Sequence, residues 1–189
     1  MTVNNPFNYD ATDASLQRQL MLAVMVAGKH AASQERKLDA LLTRMRELTG
    51  KPKASPFELL TALWESGGRH LAHTGAEAQA LVKRKHNCHP LVVLLQEIKT
   101  GQYVRLTWCF LTLARLHQEG MDLRKITRAD LHTIPGIGLK TASFFILFTR
   151  RNVQMACLDT HILAYMREHR IADNVPKVSP ADEGEYARL

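Results

Sequence analysis

Apolar residues return every three or four positions along almost the whole chain, and no stretch shows the strict alternation of a half-buried strand. The pattern predicts an all-α protein. A first helix, capped by Asp13, presents Leu16, Leu20, Ala23, Val24 and Ala27 on one face. A second, opened by Ser33, sets Leu38, Leu41, Leu42, Met45 and Leu48 on one stripe and stops near Gly50. After the basic link Lys51-Pro52-Lys53-Ala54, Ser55-Pro56 supplies an N-cap and a proline at the first helical position. That helix carries Leu59, Leu60 and Leu63 to Gly67-Gly68. Further helices are predicted over 75–85, 90–99, 102–118 and from 159 to 169, whereas 69–90 is the least patterned stretch. Ser179-Pro180-Ala-Asp-Glu opens a last helix that is short or cut short at Leu189.

Between 127 and 150 the helical pattern is interrupted once. Thr127 to His132 reads as a helix, Ile-Pro-Gly-Ile-Gly-Leu-Lys-Thr-Ala over 134–142 holds a tight turn, and an apolar helix begins at Leu139. Gly136 and Gly138 permit a left-handed or crowded backbone and let another molecule come close. The N–H groups opening the second helix lack intrahelical partners and carry the positive end of the helix dipole. Such a turn suits a phosphate. Further on, Asp159 stands where the apolar run Ala156-Cys157-Leu158 meets a helix start, and as a plain N-cap it needs no other explanation.

Length and composition narrow the picture. A chain of 189 residues, 46% of them hydrophobic, builds one compact domain or two small subdomains sharing a cleft, and is not disordered. Lys plus Arg number 25 against 18 Asp plus Glu, giving +7 and a pI near 9.5. That surplus fits a polyanionic partner. An ordinary basic surface would have the same composition, so the hairpin decides. No apolar run approaches the ~18 residues of a membrane span, and the polar N-terminus lacks a signal pattern. The expected location is therefore cytoplasmic, with the nucleoid, or nuclear. Cys88, Cys109 and Cys157 are scattered and odd in number, which implies free thiols and no four-cysteine iron–sulfur cluster. His70, His73, His86, Cys88 and His89 could bind a metal, but their spacing matches no standard zinc pattern.

The segment from Ile126 to Arg170 resembles the helix-hairpin-helix DNA glycosylase superfamily. Within it the segment is most similar to the iron–sulfur-free 8-oxoguanine DNA glycosylase/AP lyases. The shared pattern is Gly-Ile-Gly-x-Lys-x-Ala-Ser at Gly136 to Ser143, then Ala-x-Leu-Asp-x-His-Ile-Leu at Ala156 to Leu163. Two features depart from the superfamily. Cys157-Leu158 stands where Gly-Pro usually precedes the aspartate, and the last helix, which often contributes to the base pocket, is short or missing.

The resemblance implies a helix-hairpin-helix glycosylase fold with two helical subdomains flanking a cleft. Residues 50–150 would form a helical barrel containing the hairpin at 127–150, and 1–49 with 151–189 would form the second subdomain. The implied activity is base-excision repair: a DNA glycosylase with AP lyase activity that removes an oxidised base, 8-oxoguanine in the first place. Lys140 would be the nucleophile, attacking the anomeric carbon, expelling the base and forming a Schiff base. It must be uncharged to do so, and burial beside a positive helix terminus would favour the neutral amine. Asp159 would stabilise the oxocarbenium-like transition state. His161 would pack and hydrogen-bond within its turn rather than act as a base.

Gly136, Ile137, Gly138 and Thr141 would grip DNA phosphates. Lys29 and His30, in the turn after the first helix, would fill the gap left by the flipped base, unless Gly28 simply ends a helix there. Phe144 would wall the base pocket or join the core. The carbonyls of His132, Ile134 and Ile137 would hold Na+ or K+, and no other cofactor is required. The implied partner is double-stranded DNA containing a damaged base, bound by a monomer away from any membrane. Two alternatives stay open. One is a monofunctional glycosylase for an oxidised or deaminated pyrimidine; the other is a non-catalytic hairpin protein that only grips DNA.

Overall fold

The computed structural model describes residues 9–68, 74–84, 88–151, 153–178, 180 and 182–188. Within these the chain is all-helical, with helices α1 (Asp13–Val26), α2 (Ala31–Thr49), α3 (Pro56–Ser66), α4 (Gly75–Lys83), α5 (Pro90–Glu97), α6 (Tyr103–Gln118), α7 (Arg128–Thr133), α8 (Leu139–Thr149), α9 (Thr160–Glu168) and α10 (Glu183–Ala187). None is long and apolar enough to cross a membrane.

Local chemistry explains most of the boundaries. Ser55 accepts from Glu58 N–H while the Glu58 carboxylate accepts from Ser55 N–H, and Pro56 fills the first turn of α3. Thr74 and Glu77 repeat this reciprocal cap on α4. Three starts and faces differ from the pattern. Thr12 rather than Asp13 caps α1, accepting from Ser15 N–H. Helix α2 begins at Ala31, before Ser33, behind a His30 N-cap that makes no side-chain bond. Leu48, expected on the buried stripe of α2, is 58% exposed. The last cap also lies further on: Asp182, not Ser179, accepts from Glu185 N–H to open α10, and Ser179 lies outside the described residues.

The chain divides into two compact units. The larger comprises Ala11–Ile126 and Ile134–Gly136; the smaller comprises Met1–Asp10, Thr127–Thr133 and Ile137–Leu189. Residues 1–49 were expected beside 151–189 and the hairpin within 50–150, yet α7 and α8 belong to the smaller unit, and α1 and α2 pack in the larger unit against α3. The reason is their apolar faces: Leu20 and Val24 of α1 and Leu38, Leu41 and Met45 of α2 are fully buried. Gln17 adds a buried bond, its Oε1 accepting from Phe57 N–H at 2.9 Å. In the smaller unit, Leu139, Leu158, Leu163, Met166, Val175 and Tyr186 form one core that draws together the start of α8, the segment before α9, α9 itself and α10. The hairpin helices α7 and α8 pack on each other there.

Candidate active site

Two glycines flank Ile137, and the structure gives them different roles. Gly136 has φ +83, and a Cβ there would lie 2.8 Å from Arg105 Cγ, so its glycine is required on both counts. Gly138 has φ −84 and ψ 167, an extended conformation open to any residue, and a Cβ there would meet nothing within 4 Å. The protein itself does not need this glycine. As the N-cap of α8 it offers no side-chain bond, so among the described residues the first-turn N–H groups of Leu139, Lys140 and Thr141 have no side-chain cap. The exposed Gly138 and half-buried Thr141 flank an open helix start, whereas the side chain of Ile137 is buried and anchors the turn from within.

Lys140 occupies the first turn of α8 and is exposed. No burial strips water from its amine, contrary to the expectation from sequence. Asp159 caps α9, with Oδ1 accepting from both His161 N–H and Ile162 N–H at 2.9 Å. Its Oδ2 accepts no hydrogen bond from the described residues. The His161 ring is exposed rather than packed, and only its backbone joins the turn. No ion pair joins Lys140 to Asp159, but both charges reach one thiol. Cys157, buried between the two helix starts, donates from Sγ to the Lys140 carbonyl at 3.4 Å. Burial pushes its pKa up to about 11; the Lys140 charge opposes that rise and the Asp159 charge adds to it. The thiol thus ties the segment before Asp159 to the first turn of α8.

Phe144 lies one turn beyond Lys140 and is 39% exposed, its ring stacked on Phe148 at 4.1 Å between centroids. It is not a core residue. His132 Nδ1 lies 3.2 Å from the Ile137 carbonyl, so that nitrogen carries the proton and donates. A carbonyl has two lone pairs, and one at Ile137 remains for a cation. Carboxylate, thiolate and imidazole metal sites are a separate matter: no group of three or more His, Cys, Asp or Glu among the described residues could hold a metal. His70, His73 and His86 lie outside the described residues. Cys88 donates to the Arg84 carbonyl, and His89 is buried as the N-cap of α5.

The turn containing Lys29 and His30 belongs to the larger unit. Gly28 has φ +71, and Lys29 folds back to donate from Nζ to the Thr100 carbonyl at 2.6 Å. Burial, then the charges of Arg105 and Lys37, hold the Lys29 ammonium below its ordinary pKa. His30 is exposed. Beneath this turn lies Arg105, which the sequence pattern did not single out. Its guanidinium donates to the carbonyls of Gly136 at 2.9 Å and Val24 at 2.7 Å, and to Gln102 Oε1. Burial lowers its pKa, and no carboxylate among the described residues pairs with it.

No family model, curated protein or solved structure matches the chain.

Proposed function

We propose that this chain is a helix-hairpin-helix DNA glycosylase with AP lyase activity, acting in base-excision repair on a duplex with an oxidised base. One observation carries the reading: the Cys157 thiol, two residues before Asp159, donates to the Lys140 carbonyl and so ties the approach to Asp159 to the start of α8, whose N-cap glycine faces open space. A phosphate at that helix start would fix the strand, and the target nucleotide would have to leave the stack to meet the amine. The Lys140 amine then bonds to C1′, the bond to the base breaks, and the base leaves with the electron pair and takes up a proton. The amine then loses a proton and the C1′–O4′ bond breaks, its electron pair leaving on O4′, which takes up a proton, so that C1′ becomes the imine carbon of an opened sugar. Removal of a C2′ proton then breaks the C3′–O3′ bond and nicks the strand. Asp159, with one oxygen committed to the α9 cap and the other unengaged among the described residues, would stabilise positive charge developing on the sugar. The carbonyls of His132 and Ile137 would help to hold Na+ or K+, which would reinforce the turn against phosphate repulsion. Oxidised purine, 8-oxoguanine first, is the favoured lesion on the resemblance.

The exposure of Lys140 favours one second reading, a monofunctional glycosylase in which Asp159 directs water and Lys140 only contacts phosphate. Borohydride distinguishes the two. With a panel of single-lesion duplexes, the bifunctional enzyme is expected to be trapped as a covalent adduct, because reduction turns the imine into a stable amine. Lys140→Gln should abolish trapping and retain DNA binding. Base release without trapping would establish the monofunctional reading; binding without base release would leave only a DNA-gripping hairpin.

A further inference from the structure

We propose that Tyr186 is a positioning residue for Asp159, acting through the backbone that leads into it. Residues 153–159 form no regular secondary structure, so their buried backbone groups need partners from elsewhere. The Tyr186 phenol supplies two. Its oxygen accepts from Leu158 N–H at 2.8 Å and its hydroxyl donates to the Ala156 carbonyl at 2.7 Å. The ring is 5% exposed, sits in the same core as Leu158, and lies under the guanidinium of Arg128, 4.9 Å from its centroid. Arg128 begins α7, the first hairpin helix, so one side chain braces the hairpin and the approach to Asp159 together.

The backbone next to Leu158 has little freedom left. Asp159 N–H donates to the Cys157 carbonyl at 2.8 Å, and the Cys157 thiol reaches the Lys140 carbonyl. The phenol therefore fixes the one stretch whose placement decides how far Asp159 stands from Lys140. A hydroxyl that both donates and accepts suits this task, because one atom satisfies a donor and an acceptor two residues apart. Phenylalanine would fill the same space and leave both groups unpaired.

This inference rests on the reading of Asp159 as the catalytic carboxylate, and its test separates the two. Tyr186→Phe keeps the ring and the contact with Arg128. In the full-length protein the Leu158 amide should exchange with deuterium about tenfold faster, the scale of losing one hydrogen bond. Single-turnover base release from lesion duplex should fall about tenfold, with DNA affinity unchanged. In an Asp159→Asn background the same substitution should cause no further fall, because the two residues act as one unit. Unchanged exchange at Leu158 overturns the clamp whatever the activity. An equal fall in both backgrounds, or normal base release with faster exchange, overturns the positioning role. A wild-type protein that releases no base from any duplex overturns the reading of Asp159 and the positioning role with it, while Leu158 exchange still decides the clamp. If Tyr186→Phe does not fold, Arg128→Gln loosens the ring with both phenol bonds available. It should slow base release less than tenfold, and only when Asp159 is intact; a loss of the same size with Asp159→Asn overturns the proposal.

Discussion

At the scale of single residues, the structure gives Asp159 one job, the cap of α9, and the proposed function gives it a second. Oδ1 serves α9 by accepting from two backbone N–H groups, so the cap alone would account for an aspartate. Asparagine can make the same bonds through its carbonyl oxygen but carries no charge. Asp159→Asn should therefore melt close to the wild type and bind DNA normally. Base release should fall by about two to three orders of magnitude, the scale of losing one electrostatic stabiliser. Near-normal turnover in the folded variant would reduce Asp159 to its capping role. The aspartate was legible in the sequence because a cap is a local signal. The exposure of Lys140 and the phenol over Leu158 were not, since solvent access and a bond from Tyr186 to residues 156 and 158 depend on how distant segments meet.

At the scale of elements, the hairpin is a turn the protein enforces beside a helix start it leaves open. Helix starts with a complete chemical signature were readable: Ser55-Pro56 with Glu58 marks α3 without ambiguity. Ser33 was misleading because α2 starts at Ala31 without a side-chain cap, and a serine inside the first turn resembles a cap when only the pattern is seen. The two hairpin glycines could not be told apart by sequence, and the structure separates them. Gly136→Ala places a Cβ against Arg105 at φ +83 and should destabilise the fold by about 1–3 kcal/mol in urea titration, as strained positions do. Gly138→Asp meets no steric obstacle and adds a favoured cap at the positive end of α8, so stability should hold or rise by up to ~1 kcal/mol. The same carboxylate would occupy and repel the phosphate position, so DNA affinity should drop at least tenfold. A Gly138→Asp protein that binds DNA like the wild type would remove the hairpin as the anchor, and with it the basis for bringing Lys140 to a sugar.

At the scale of the whole molecule, charge is the property that no single element explains. The surplus of +7 lies in the larger unit, which holds 17 Lys and Arg against 10 Asp and Glu, whereas the smaller unit is balanced at eight of each, and several cations already serve the fold. Lys29 and Lys37 donate to the carbonyls of Thr100 and Lys99, and Arg105 is spent on Val24 and Gly136. None of these three meets a carboxylate within 4 Å among the described residues, so each leaves its positive charge in the field of the molecule. That field would draw a duplex toward the larger unit and says nothing of its sequence. Affinity for undamaged DNA should then fall linearly on a log–log plot against salt. Neutralising about four or five phosphates would give a slope of roughly −4, and lesion-containing duplex should run parallel but offset to tighter binding, because the lesion adds contacts without adding charge. Titrations by fluorescence anisotropy between low and physiological salt would decide it. A slope near zero would show that the positive surplus faces solvent rather than nucleic acid, and the DNA-binding premise of the proposed function would fall with it.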